Sequence, residues 1–308
     1  MNLGSAGAHW DVVGVGANSV DYVYRLPAAP ATEGQHAKLR VDSHTVSCGG
    51  QVTTALSAAA AMGLRAKYIG TLGSDRNGFL MKAELERRGI DIADVVVRDA
   101  PNPYAVILVV QPTGERIVLW DRPAGAGLRP EELPADALRQ TRVLHVDDVD
   151  EAASIAAARR GREAGVQVTS DIERATARTW DLVEAVTVPV FAEDAPRELT
   201  GEQDIERALR VIRRRHPGLL CVTLGARGAI MLEGDRVHRA PGFPVRAVDT
   251  TGAGDVFRGA LIYALLRGDE PAGMLRFANA AASISCTRDG AMNSVPTAAE
   301  TIAFLAAS

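Results

Sequence analysis

Short apolar runs alternate with amphipathic helical patterns along this chain, and that alternation limits its fold more than any other feature. Residues 11–16 read as a buried strand, 52–62 as an alanine-rich helix stopped by Gly63, and 79–88 as a helix stopped by Gly89. Further strand candidates at 143–146, 166–170, 185–188 and 219–224 are interleaved with helical patterns at 152–164 and 205–215. Strand followed by helix, repeated, gives an α/β, doubly wound, mostly parallel sheet sandwich. With 308 residues, 47% of them apolar, the chain has enough apolar side chain for a substantial core. No repeat, low-complexity tract or linker divides it, so a single domain over 1–308 is expected. Two stretches break the alternation. Residues 104–110 and 115–120 read as a hairpin joined by Gln111-Pro112-Thr113-Gly114, and 22–46 is irregular with short extended pieces. These two segments, about 22–46 and 103–121, predict a small β lid.

The chemistry is concentrated near the other end. A strand-like run over 243–248 leads into Asp249-Thr250-Thr251-Gly252-Ala253-Gly254-Asp255, after which Val256, Phe257, Ala260, Leu261, Ala264 and Leu265 recur at helical spacing. The turn therefore opens a helix. Gly252, Ala253 and Gly254 let a ligand approach the backbone, and the free amides and dipole of the first helical turn favour an anion. Asp255 sits in the same turn, where a substrate hydroxyl placed between it and a phosphate would find a proton acceptor. Capping of free amides is the plainer role for such an acid. Phosphoryl transfer is the richer one.

Several classes are excluded. No Gly-x-x-x-x-Gly-Lys-Ser/Thr segment exists, nor His-Arg-Asp or Asp-Phe-Gly, which removes Walker-type nucleotide folds and protein kinases. Gly14-Val15-Gly16 hints at a dinucleotide fold, but Ser19 stands where the third glycine is required. Cys48, Cys221 and Cys286 lie far apart, and the six histidines have no ligand spacing, so a transition-metal enzyme is not expected. Net charge is −4 with both signs interspersed, which predicts no nucleic-acid or membrane partner. Without a secretory leader pattern or a run long enough to span a bilayer, the expected location is cytoplasmic.

The seven residues from Asp249 to Asp255 also resemble the C-terminal signature of the ribokinase-like (PfkB) carbohydrate kinases. The likeness extends through residues 16–21, the Gly49-Gly50 turn, Gly70-Thr71-Leu72-Gly73-Ser74-Asp75 with Gly78, Val222-Thr223-Leu224-Gly225, and the tail from Gly290 to Pro296. Within that family Gly114-Glu115-Arg116-Ile117, Arg276-Phe277-Ala278 and Cys286-Thr287-Arg288 are most similar to the ketohexokinase and sulfofructose kinase branch. The resemblance implies an ATP-dependent sugar kinase transferring the γ-phosphoryl group to a primary hydroxyl, here of a fructose-type ketose. The alternatives are a kinase of nucleosides, ribose, sulfofructose or sugar acids, and a catalytically silent sugar- or nucleotide-binding protein on the same fold.

By the same resemblance, Asp255 is the catalytic base and Gly252, Ala253 and Gly254 form the anion hole. Asp21, Gly49, Gly50, Gln51, Thr54 and Arg122 bind the sugar; many relatives carry Asn or Lys where Gln51 and Thr54 stand. Arg122 reads equally as a solvated loop arginine. Thr223, Gly225, Gly228 and Asn279 lie near ATP, although a lone Asn on a helix more often faces solvent. Asp249, Thr251, Gly290 and Ser294 match a monovalent-cation loop for K+, against the simpler reading that Asp249 braces the turn. Mg2+ is expected with ATP, yet Ala192 and Ala195 occupy the family's Asn-x-x-Glu positions, leaving nearby Glu193 as the candidate ligand. The acidic run 147–150 either lines the cleft or precedes a helix N-terminus. The lid closes over the sugar and often pairs two copies into a homodimer.

Overall fold

The computed structural model describes residues 8–111 and 115–308. Its main sheet is assembled in two halves. β1 (Trp10–Val15), β4 (Ala66–Ile69), β9 (Thr141–Asp147) and β10 (Gln167–Asp171) run parallel in the order β10-β9-β1-β4. β11 (Val190–Phe191), β12 (Leu220–Thr223), β13 (Ala229–Glu233) and β14 (Arg236–Ala240) follow in that order. Single bridges from Thr169 to Val188 and from Ile172 to Phe191 join the halves beside β10.

Both faces of this sheet are covered, which is why its strands read as apolar runs rather than alternating ones. Successive strand residues enter different cores. Val12 and Val143 pack under the helices Gln51–Ala61, Ala253–Arg267 and Pro271–Ser285, while Val13, Val15, Leu144 and Val146 pack against Glu151–Glu163 and its neighbours. Each such buried aliphatic side chain contributes on the order of 1.5–3 kcal/mol. The Gln51–Ala61 helix lies close against Ala253–Arg267 because Gly259 has no side chain: a Cβ there would lie 2.3 Å from the Ala55 carbonyl oxygen. Two sites at adjacent helix starts are thereby held together.

The lid is a second sheet of four strands. β2 (Ser19–Leu26), β3 (Ser43–Gly49), β7 (Tyr104–Val110) and β8 (Glu115–Asp121) are ordered β3-β2-β7-β8. β2 pairs antiparallel with β3 and parallel with β7, and β7 pairs antiparallel with β8. The region expected to be irregular over 22–46 therefore supplies two full strands, reaching back to Ser19 and forward to Gly49. The sequence hides them because β3 exposes its first four residues and carries polar groups there. Of the expected hairpin turn, Pro112, Thr113 and Gly114 lie outside the described residues. A small pair, β5 (Thr71–Gly73) with β6 (Val96–Arg98), completes the strands described.

Three expectations are corrected at their edges. Residues 243–248 form no strand: Pro244 lacks a donor, and at the far end Val248 bonds only to the Cys286 carbonyl oxygen, 2.8 Å. The strand expected over 185–188 is displaced, since Ala185 ends the helix Thr179–Ala185, Val188 makes only a single bridge to Thr169, and the strand itself begins at Val190. The helix expected from Phe79 starts at Arg76, because the Asp75 carboxylate accepts from the Gly78 amide at 3.0 Å and caps it.

Candidate active site

The turn after residue 248 is built around Asp249. Its Oδ1 accepts from the Thr251 amide at 2.9 Å and from the Thr251 hydroxyl at 2.7 Å, and its Oδ2 accepts from the Gly290 amide at 3.1 Å. Burial alone would raise this carboxyl, but those donors and the nearby Arg116 outweigh it and hold it below the usual range. Gly252 then adopts φ 76, a left-handed conformation, and the Ala253–Arg267 helix begins. A Cβ on Gly252 would lie 2.7 Å from the Cβ of Ala291, so the turn is pressed against the 290–294 tail.

Asp255 is half-buried in the first turn of that helix. Burial pushes its carboxyl well up, the neighbouring Asp171 adds to the rise, and Arg258 opposes it. Asp171, wholly buried at the end of β10, is pushed up to about 7, again chiefly by burial with Arg258 opposing. Arg258 lies 2.6 Å from Asp171.

A cavity of about 700 Å³ opens directly onto this turn. At one end Thr250, Ala253 and Gly254 line it; at the other are Thr223, Gly225, Gly228 and Asn279, with Phe243, Pro244 and Val245 along the wall. Its size suits a nucleotide-sized ligand. Asn279 is buried, and its Nδ2 donates to the Ala240 carbonyl at 2.9 Å and the Pro241 carbonyl at 3.2 Å, leaving only its amide oxygen for another partner.

On the other side of the turn stand the lid strands. Asp21 on β2 accepts from the Ser19 hydroxyl at 2.8 Å, is almost wholly buried, and is pushed up to about 6 by burial, with Asp249 adding to the rise. Gly49 ends β3 against it: a Cβ at Gly49 would lie 2.4 Å from Asp21 Oδ2. Gly50 precedes the Gln51–Ala61 helix, whose Thr54 approaches Gly252. Gln51 Oε1 and Thr54 Oγ1 are buried without a partner. Two unpartnered polar groups one helix turn apart suit a polyhydroxylated ligand.

The 249–255 turn, the nucleotide-sized cavity and the polar lid floor thus lie together, with Asp255 in the turn. The family model for pfkB family carbohydrate kinases matches residues 17–298. The chain belongs to the pfkB family. It is 31% identical over 297 residues to an ATP-dependent ribose-1-phosphate kinase of Halopiger xanaduensis, covering 96% of this chain and 97% of that one. It is 29% identical to fructokinase-1 of Zea mays, covering 83% and 88%. Among solved structures, a ribokinase from Thermotoga maritima superposes with a TM-score of 0.84 at 24% identity, covering 96% of this chain and 99% of that one. The chain is a carbohydrate kinase on the ribokinase fold.

Against that family pattern, the expected site residues fall into two groups. Asp255, Gly252, Ala253, Gly254, Thr223, Gly225, Gly228 and Asn279 share the turn and its cavity, and Asp21, Gly49, Gly50, Gln51 and Thr54 gather on the other side. Arg122 does not join them freely: its Nη2 is held by Asp150 at 2.7 Å. The acidic run 147–150 does precede a helix N-terminus, with Asp150 at the N-cap of Glu151–Glu163, but its carboxylates are not spent on the helix amides. Asp147 accepts from the Ala17 amide at 2.6 Å, Asp148 from the Glu173 amide at 2.7 Å, and Asp150 from Arg122 and the Leu128 amide, each tying strand ends together.

The metal candidates fare differently. Glu193 does not fit a magnesium ligand here, because Arg227 and Arg197 take its two oxygens, the latter at 2.9 Å, and their charge holds its carboxyl low. Asp249, Thr251 and Gly290 do converge, but as a hydrogen-bonded turn, whereas Ser294 donates its hydroxyl to the Ala291 carbonyl at 2.8 Å. Arg116 from β8 reaches the same place, donating to the Thr250 hydroxyl, to the Thr251 hydroxyl at 3.1 Å, and lying 3.5 Å from Asp249. A guanidinium already supplies positive charge where a monovalent cation would sit.

Sequence reasoning assigned no role to Arg116, Asp171 or Arg258. Arg116 lay inside the quoted Gly-Glu-Arg-Ile motif. Arg258 had a signal of its own: a charged residue three after Asp255, within an otherwise apolar helix, falls on the same buried face.

Proposed function

We propose that this carbohydrate kinase transfers the γ-phosphoryl group of ATP to a primary hydroxyl of a fructose-type ketose. The observation carrying this reading is the cavity lined from Asn279 to Gly254, the residue that precedes Asp255. ATP laid along it brings its terminal phosphate to the amides of the Ala253–Arg267 helix, which lower the cost of charge developing on the transferring group. The sugar sits across the turn, with Asp21 accepting from its hydroxyls and Gln51 and Thr54 adding polar contacts. Asp255 orients the attacking hydroxyl and takes its proton late, as expected for a loose phosphoryl-transfer transition state. Magnesium, carried with ATP, neutralises phosphate charge when bound; no step is assigned to Glu193. A monovalent cation would have to displace Arg116 from Asp249.

The ketose assignment rests on likeness to the ketohexokinase branch and on a floor of hydroxyl-binding groups. The lid also offers a dimer surface: β8 is an edge strand exposing Ile117, Val118, Leu119 and Trp120, the last 74% accessible. The test is coupled detection of ADP release with fructose, ribose, ribose 1-phosphate, a sulfonated ketose and adenosine, using wild type and Asp255→Asn. Loss of about 10²–10⁴ in kcat for Asp255→Asn, at unchanged nucleotide binding, supports the base. Near-normal turnover by that variant sinks it. A higher kcat/KM for ribose 1-phosphate or adenosine overturns the ketose assignment and leaves the kinase standing, whereas no ADP release with any of them supports a silent binding protein.

A further inference from the structure

The register of the lid strands fixes which of its side chains share a face, because directly paired residues on neighbouring strands point to the same side of a sheet. Asp21 pairs with Ser47 on β3 and with Ala105 on β7, and Ala105 pairs with Trp120 on β8, so these four form one row. Two rows along, the same face carries Arg25, Val109 and Arg116. Two of its residues show what this face looks at. Asp21 closes against Gly49, where a Cβ would lie 2.4 Å from its Oδ2, and Arg116 donates to the Thr251 hydroxyl at 3.1 Å. The face that bears Trp120 is therefore the one turned toward the 249–255 turn.

We propose that Trp120 is a specificity-determining residue for the sugar: its indole forms the wall opposite Asp21, and the apolar C–H face of a sugar ring stacks on it while ring hydroxyls turn to the carboxylate. This rests on the reading of the lid floor as the sugar site. Neighbouring strands lie about 4.8 Å apart, so the Asp21 and Trp120 backbones, two strands apart in one row, are separated by roughly 9–10 Å. Between them Ala105, itself buried, puts only a methyl group into the row. A sugar ring is amphipathic, with hydroxyls around its rim and C–H groups on its faces. A carboxylate facing an aromatic plane across a short gap matches both parts.

The other two tryptophans are already spent on the fold. Trp10 and Trp180 pack against the core and each lies under a cation, Lys67 at 5.2 Å and Arg215 at 4.2 Å. Trp120 is 74% exposed, and among the described residues no ring or cation covers it. Val118, next on the same face, is also exposed and extends the apolar wall toward Arg116. Pairing of the β8 edge with a second copy would use main-chain groups and leave this face as it is, while Ile117 and Leu119 point to the opposite side.

The test makes Trp120 the sole indole. In the variant carrying both Trp10→Phe and Trp180→Phe, acrylamide quenching of the emission is measured with and without fructose, ADP being present throughout. KM and kcat at saturating ATP are measured for wild type, Trp120→Phe, Trp120→Ala and Leu119→Glu. Fructose at saturation should lower the quenching constant about twofold or more. Trp120→Ala should raise KM about tenfold with little change in kcat, because stacking is lost from the bound sugar and the transition state alike. Trp120→Phe, which keeps part of the ring, should fall between, and Leu119→Glu on the opposite face should keep the wild-type KM. Unchanged quenching, a KM within twofold of wild type in Trp120→Ala, a Trp120→Phe no better than Trp120→Ala, or an equal rise in Leu119→Glu overturns the proposal. A sedimentation coefficient that rises with fructose also overturns it, since a second copy would then shield the indole. Should ribose, ribose 1-phosphate or the sulfonated ketose outrank fructose in turnover, that sugar becomes the probe and only the ketose assignment falls. Quenching needs no turnover, so protection by a sugar in a protein that releases no ADP supports the wall and overturns the kinase reading alone. Protection by adenosine and by none of the sugars overturns the wall, because the base would then hold the indole.

Discussion

Gly252→Ala tests how tightly the anion-binding turn is specified, with Gly268→Ala as its internal reference. Both glycines are left-handed, at φ 76 and φ 78, so an alanine pays a similar conformational cost at each, about 1–2 kcal/mol. They differ in the space available. At Gly268 an added Cβ meets nothing within 4 Å, whereas at Gly252 it lies 2.7 Å from Ala291 Cβ, 2.9 Å from Ala291 Cα and 3.2 Å from Thr54 Cγ2. Carbon atoms rest about 3.5–4.0 Å apart, so the turn and the 290–294 tail must part by roughly 1 Å. Overpacking of that kind adds about 1–3 kcal/mol, giving about 2–5 kcal/mol at Gly252 against about 1–2 kcal/mol at Gly268. The same displacement misplaces the amides around Ala253 and Gly254, and loss of one such donor costs on the order of 10²–10³ in kcat. Urea unfolding gives the stabilities and coupled ADP release gives the turnover. Equal destabilisation by the two variants, or wild-type kcat in Gly252→Ala, would refute the packing argument.

Three further outcomes follow from the same geometry. Asp21 is raised from 3.8 to about 6 on folding, so its favourable contribution is complete below the unfolded value and is lost as pH climbs through about 6; Asp21→Asn should therefore gain up to roughly 3 kcal/mol of thermal stability above that pH while raising KM for the sugar. Arg116→Ala frees Asp249, so stimulation by potassium over a bulky organic cation at matched ionic strength should be larger in the variant than in wild type; equal responses would show that the guanidinium and the cation do not compete. Trp120→Glu places a charge on the exposed β8 edge, and sedimentation should show a dimer weakened to monomer, whereas an unchanged sedimentation coefficient removes the lid as the dimer surface.

The legible parts of this protein were those governed by local pattern. Burial on both faces makes β1 and β9 continuous apolar runs, and Gly63 and Gly89 stop helices where the chain must turn left-handed. The 249–255 turn was readable because its conformation depends on backbone, which small residues announce. What depended on distant pairing was not. β2 and β3 are separated by a 16-residue excursion and expose polar faces, so no local period marked them. Residues 243–248 carry a strand-like composition but no partner strand, and instead wall the cavity. Arg122 and the 147–150 carboxylates had the right chemistry for a cleft, yet their partners, Asp150, Ala17 and Glu173, lie up to 130 residues apart and decide that they brace strand ends. Arg258 was hidden for the opposite reason: helical periodicity scores a charge among apolar residues as noise, when at a buried face it is the residue that most needs a partner.

A site that receives a polyanion is nonetheless ringed by carboxylates, and the net charge of −4 says nothing about how that is tolerated. The answer is local to each acid. Asp249 spends its charge on the amides of Thr251 and Gly290 and on Arg116, all inside the protein. Asp21 lies so deep that its ionisation is delayed to about 6. Asp171 is met by Arg258 at 2.6 Å, so its charge is answered inside the fold. The remaining field at the turn is that of the helix amides, which under the proposed function would face the phosphate and cannot titrate. The acids can thus accept hydroxyl protons and fix geometry without repelling ATP, because each is balanced by a group within a few ångströms rather than by solvent ions. That separation predicts a nucleotide affinity only weakly sensitive to salt at constant magnesium: a steep fall in ATP binding between low and moderate ionic strength would mean that diffuse surface charge, not this turn, holds the nucleotide.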